Sequence, residues 1–254
     1  MTLSAAEQLL IEMINRARLD PLGEAERFGI DLNEGLAPGT LDGEARQVLA
    51  PNQALHNAAE AHSDWMLATD TFSHTGVGGS RPGDRMADAG YVFEGRYASG
   101  ENITYRGSTG AIDLDALMEE DHHRDLFLSS SHRVNMLHDF YREIGVSQQQ
   151  GVFTNGRDFN AGMVTENFAL SGSSVFVTGV IYADGDGDAV DVVVVGRDLA
   201  ATQRAGQSRS GLEGQVVAVR IQPVVEIDTN HRGEILGGHE HPHGVCRLRD
   251  GGER

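Results

Sequence analysis

The sequence predicts an α+β fold, and three features carry that reading. Leu9, Leu10, Met13, Ile14 and Ala17 recur at helical spacing near the N-terminus. Leu55, Ala59, His62 and Met66 form a second helical stripe. Further on, residues 144–147, 161–170 and 175–182 read as strands of an antiparallel sheet.

The elements follow in order. Ser4 with Glu7 makes a capping box, so the first helix starts there and runs to about Arg18, where Asp20-Pro21 stops it. Residues 31–51 hold three Gly and two Pro and read as a connecting loop. The second helix spans about 53–69, and a Gly- and Ser-rich loop, 72–83, follows it. A short helix, 83–89, closes at Gly90, and 97–105 reads as a strand with Gly100 inside it. Leu114, Leu117, Met118 and Leu126 place a helix over 113–128, with His122 and His123 mid-helix and solvated. A turn or short helix opens at His132.

After Tyr182 the character changes. All 15 aromatic residues lie before position 183, and eight of the 20 arginines fall between Arg197 and Arg254. Segments 191–195 and 215–221 have β-forming composition but no aromatic core to hold them. The tail 197–254 therefore reads as disordered or weakly structured. A weak second module, a flexible extension and a shifted reading frame all fit that composition.

Bulk properties exclude some functions. A formal charge of −18, with every cation an arginine, argues against nonspecific nucleic-acid binding. No apolar run approaches the roughly 20 residues that span a bilayer, so no transmembrane segment is expected. Cys246 is the single cysteine, which rules out an internal disulfide. The start M-T-L-S-A-A-E-Q has no basic or apolar signature of a secretory signal. Retention inside the cell, export by a route needing no N-terminal signal, and truncation are all compatible with it.

Three strings carry candidate chemistry: F-S-H-T-G at 72–76, G-E-N-I at 100–103 and S-S-S-H-R-V-N-M-L at 129–137, the last leading into R-E-I-G-V at 142–146. They supply His74, Glu101 and His132, with Glu143 close behind. Two imidazoles and one or two carboxylates from separate segments can bind a divalent metal or move protons. A-D-G-D-G-D-A sets Asp184, Asp186 and Asp188 at alternating positions, a spacing of hard ligands suited to Ca²⁺. Counted as an EF-hand loop from Asp184, it lacks the required Gly and the bidentate Glu, so an acidic turn is the competing reading. H-E-H-P-H at 239–243, near Cys246, has soft-metal ligands in no zinc-module spacing. No G-x-S-x-G, H-E-x-x-H or P-loop string occurs.

The order and spacing of the three strings resemble the CAP superfamily, the SCP or cysteine-rich secretory, antigen 5 and pathogenesis-related domain, in its bacterial, disulfide-free branch. The resemblance implies an α-β-α sandwich around a central antiparallel sheet over residues 4–170. Residues 171–196 then form a strand and an Asp-rich loop, and 197–254 the tail. Ser130 and Ser131 depart from the Pro-Gly that the family commonly shows before the second histidine. Eukaryotic relatives also carry a Glu on the helix before it; here that position is best matched by Ser129, and Glu143 is the candidate substitute, or a partner for Arg133 or Arg142.

The resemblance further implies a cavity holding His74, Glu101, His132 and Glu143, with Zn²⁺ or another divalent metal on His74 and His132. It implies an extracellular, noncatalytic module that binds a metal and a lipid or other small hydrophobic ligand. The alternatives are a metal-dependent hydrolase with Glu101 as general base, and a structural or adhesive extracellular protein.

Overall fold

The computed structural model describes residues 3–111, 121–173, 175–183, 190–195 and 215–221. The chain divides into two compact units, Met1–Ser173 and Ser174–Arg254.

The first unit begins with α1, Ala5–Leu19, capped by Ser4 and Glu7 through both bonds of a capping box. Asp20-Pro21 ends α1 and also starts α2, Pro21–Arg27. Asp20 caps α2 and Pro21 occupies its first turn, where a missing N–H costs nothing. The stop expected at this dipeptide is thus a corner between two helices. A two-residue strand, β1 (Ala50–Pro51), precedes α3, Gln53–Ala68, which Asn52 caps. After α3 come α4 (Pro82–Asp88) and the long strand β2 (Tyr97–Ser108). Two short helices follow, α5 (His123–Leu128) and α6 (Ser130–Met136). Strands β3 (Glu143–Thr154) and β4 (Asp158–Ser171) complete the unit.

The sheet order is β1-β3-β4-β2, antiparallel except for the short β1–β3 pair, so β2 is an edge strand. Residues alternate between the two faces of β4. Val164 and Phe168 join the α1, α5 and α6 side chains in one apolar cluster. Met163 and Ala169 face the α3 side, with Met66 and Leu55. The sheet is therefore covered on both faces, a mixed α+β architecture with helical layers about a mainly antiparallel sheet. Gly145 of β3 is needed where α3 crosses: a Cβ there would run into the backbone of Leu55 and His56.

Two expectations are corrected. The strands extend further than the apolar runs indicated, because their polar outer residues continue the ladder to Thr154 and Asp158. His122 and His123 are not solvated; both are fully buried. His123 Nε2 lies 2.8 Å from Glu24 Oε1, a partner 99 residues away on α2. The helix expected over 113–128 is described only in part: positions 113–120 lie outside the described residues, and α5 forms its end.

In the second unit, β5 (Val175–Ala183) runs between β6 (Val190–Val195) and β7 (Gln215–Ile221) in a three-stranded antiparallel sheet. Two of the aromatic-free segments thus form strands, one of them within the tail. The Asp184, Asp186 and Asp188 loop, the H-E-H-P-H string, Cys246 and the remainder of 197–254 lie outside the described residues.

Candidate functional site

Edge strand β2 sends successive side chains to opposite faces, and the site is built around that edge. Glu101 turns toward the α3 face and Asn102 toward the α6 face. A cavity of about 320 Å³ straddles the edge and is lined by His74, Glu101, Asn102, Ser131, His132, Val134, Asn135 and His138.

On the α3 face the centre is Glu101, whose side chain is 1% exposed. Arg85 Nη2, from α4, donates to Glu101 Oε2 at 2.5 Å. His74 Nδ1 lies 2.9 Å from Glu101 Oε1. A carboxylate only accepts, so His74 donates through Nδ1, and its neutral ring keeps a lone pair on Nε2. Arg85 Nη1 also donates to the carbonyls of His74 and Ser80, at 3.1 and 2.9 Å. One guanidinium therefore fixes both the carboxylate and the loop that carries the imidazole. Buried His62 braces the same loop, with Nε2 2.9 Å from the Ser73 carbonyl. Burial first, and then the Arg85 charge, hold its pKa below the usual histidine value, with Glu101 opposing them.

On the other face, α6 carries His132. The buried Arg133 beside it donates to the carbonyls of Leu32 and Phe127, at 2.9 and 2.7 Å, and to that of Glu34. That anchors α6 to the loop after α2 and to α5. Asn102 Nδ2 donates to the His132 carbonyl at 3.3 Å and to Glu166 Oε2 at 3.0 Å. Asn135 Nδ2 donates to Asn102 Oδ1 at 3.0 Å, and Tyr141 donates its hydroxyl to Asn135 Oδ1 at 2.9 Å. Gly100 leaves room for that last pair, since a Cβ there would enter both groups.

Burial lowers the pKa of His132, and proximity to His74 lowers it further. His138 is lowered mainly by burial. Its Nδ1 accepts from the Phe140 N–H at 3.2 Å, and its ring stacks on Tyr141 with centroids 4.7 Å apart. Below the asparagines, Glu166 is completely buried, and burial pushes its pKa up to about 8, against the Asn102 hydrogen bond. Its Oε1 has no partner among the described residues.

The structure brings His74, Glu101 and His132 to one cavity and leaves Glu143 out of it. Glu143 Oε1 accepts from Asn52 at 2.8 Å and its Oε2 from Tyr91 at 2.6 Å, beside the start of α3. As the first residue of β3, it is held across the sheet from β2 by the β3–β4 ladder. Arg85, Asn102, Asn135, His138 and Glu166 were not legible as site residues. Asn102 and Asn135 lie inside the motif strings; Arg85, His138 and Glu166 carry no local signal.

Among the described residues, no group of three or more His, Cys, Asp or Glu side chains is placed to hold a metal ion. A divalent ion would have two protein ligands, the imidazoles of His74 and His132. The donor chemistry fits such an ion: His74 presents Nε2 and is oriented through Nδ1 by a carboxylate, as metal-ligating histidines commonly are. Glu101 itself has both oxygens engaged.

Residues 11–156 match the family described as CAP, the cysteine-rich secretory protein family. Two solved structures are similar. One is an extracellular protein containing a SCP domain from Bacillus anthracis str. Ames, 19% identical, with a TM-score of 0.38 and 66% of this chain covered. This chain spans 44% of that protein's length. The other is an outer surface protein from Borrelia burgdorferi, 14% identical, with a TM-score of 0.42, covering 68% of this chain and 97% of its own. No curated protein matches the sequence. No helix among the described residues is long and apolar enough to cross a membrane.

Proposed function

This chain belongs to the CAP, or cysteine-rich secretory protein, family, and on that premise we propose that it is a noncatalytic binding module that holds a divalent metal, Zn²⁺ first, between His74 and His132. One observation carries the reading. The Arg85–Glu101–His74 chain of hydrogen bonds fixes one imidazole with Nε2 left for a ligand, in the cavity that His132 also lines. The lowered pKa of His132 keeps that ring neutral, and so able to ligate, below the usual imidazole range. Bound there, the ion would supply Lewis acidity and open coordination positions.

Two further properties shape the proposal. Every lining residue but Val134 carries a polar group, which suits a small ligand with polar groups of its own. A general-base role for Glu101 is disfavoured, because both oxygens are engaged and its side chain is 1% exposed. The family's description as secretory is what supports an extracellular setting.

Calorimetric titration of the full chain with zinc tests the reading. The native sequence is expected to bind one zinc at this site, and His74→Ala combined with His132→Ala to lose it. Unchanged stoichiometry in the double variant would move the metal elsewhere, with H-E-H-P-H the first suspect.

A further inference from the structure

The cavity has a third imidazole, and its wiring is opposite to that of His74. We propose that His138 is a hydrogen-bond donor for a carboxylate-bearing ligand that completes the coordination of the ion on His74 and His132. The inference rests on the metal reading above and assigns that site its ligand class.

Consider which lining groups still have hydrogen-bonding capacity. Asn102 and Asn135 bond to each other, to the His132 carbonyl, to Glu166 and to Tyr141. They form the floor, and the amide of Asn135 keeps a second N–H. Glu101 has given one oxygen to Arg85 and the other to His74. Glu101, the lining carboxylate, is also shielded by burial. Three imidazoles, the Ser131 hydroxyl and the second Asn135 N–H remain. His74 offers a lone pair on Nε2, because its Nδ1 donates to Glu101. His138 is the reverse. Its Nδ1 accepts from the Phe140 N–H, so its neutral ring carries the proton on Nε2. That nitrogen donates to a ligand and does not ligate a metal.

Stacking on Tyr141 at 4.7 Å fixes the plane of the His138 ring. Arg18, fully buried under the same connection, holds its backbone by donating to the Met136 and His138 carbonyls at 2.7 and 3.1 Å. The donor is therefore positioned in advance of any ligand, which reduces the entropy cost of binding.

A dication on two neutral imidazoles, beside N–H and O–H donors and without a free carboxylate, makes a site for an anion. Two protein ligands leave two positions of a tetrahedral zinc open, enough for a carboxylate and a water. The cavity, at about 320 Å³, suits a small acid or the C-terminal end of a peptide. Both sources present the same group.

The test uses the full chain loaded with cobalt(II), whose visible absorption reports ligands entering its coordination sphere. Acetate, acetamide and N-acetylglycine are titrated in turn into the native sequence, His138→Phe and His138→Gln. Phe keeps a ring against Tyr141 and removes the donor; Gln restores an N–H. Acetate and N-acetylglycine are expected to bind the native chain and acetamide not to. His138→Phe should weaken acetate about tenfold, and His138→Gln should recover most of that loss. Cobalt affinity should be the same in all three, which also shows that the variants fold. Tighter binding of N-acetylglycine than of acetate would identify a peptide C-terminus as the better source, and equal binding a free acid. Equal acetate binding in His138→Phe, or acetamide binding as well as acetate, overturns the proposal while leaving the metal site standing. A native chain that takes up no cobalt or zinc overturns the metal reading and this inference with it.

Discussion

Glu101 and Glu166 lie one ladder step apart on neighbouring strands, and they are opposite solutions to burying a carboxylate. Glu101 on β2 pairs in register with Asn167, and Glu166 on β4 with Asn102. Both are nearly or fully buried. Glu101 meets a guanidinium at 2.5 Å and an imidazole at 2.9 Å. Glu166 meets a single amide at 3.0 Å, and its pKa rises to about 8. A buried charge persists where a full charge compensates it, and otherwise the group takes up a proton. The difference assigns their work. Glu101 can orient a histidine, whereas protonated Glu166 props up the asparagine floor.

The largest expected effect comes from making Glu101 resemble Glu166. Arg85→Met strips the charge partner from a buried carboxylate and frees the His74 loop. It should destabilise the protein by about 3–5 kcal/mol and weaken zinc by tenfold or more, read by urea denaturation and calorimetry. A loss under about 1 kcal/mol would mean that Glu101 needs no partner and that the contrast is false.

The converse change is Glu166→Gln. The folded pKa of Glu166 is raised, so its contribution to stability is complete below the unfolded carboxyl value near 4.5 and is lost as pH rises through about 8. An amide has nothing to ionise. The variant should be more stable than the native sequence by about 1–2 kcal/mol at pH 8, after the cost of its own unpartnered N–H. That gain should vanish near pH 4. A gain independent of pH would show that Glu166 does not titrate in this range.

The acid side sharpens the comparison. His62, His122, His123, His132 and His138 all have lowered pKa values, led in each case by burial, and His122 falls to about 4. Their stabilising contribution is present above the unfolded value near 6.5 and is lost as pH falls below it toward 4. Stability, followed as the melting temperature, should therefore decline below pH 6.5, by up to about 1.4 kcal/mol per pH unit for each histidine that stays neutral in the fold. The decline should persist in Glu166→Gln, which removes only the alkaline loss.

What could be read from the sequence was whatever is local. The Ser4–Glu7 capping box and the two helical stripes appear in the fold because each is set by residues within a few positions of one another. The strings around His74, Glu101 and His132 mark the three segments that meet at the β2 edge. Their sequence did not reveal Arg85, whose partner Glu101 is 16 residues away, or His123, whose partner Glu24 is 99 away. Tertiary contacts alone decide those pairs. Glu143 misled for the same reason: nearness to His132 in sequence does not survive the return of the chain through β3, where Asn52 and Tyr91 take its carboxylate.

The central claim is that zinc sits on His74 and His132 with Glu101 behind His74. X-ray absorption at the zinc edge, on the full chain loaded with one equivalent at pH 7.5, addresses it most directly. The account predicts two imidazole nitrogens at about 2.0–2.1 Å, with oxygen filling the remaining positions and no sulfur. It also predicts loss of that imidazole signal when His74 and His132 are both replaced by Ala. Three or more imidazoles, a sulfur ligand near 2.3 Å, or an unchanged spectrum in the double variant would contradict it.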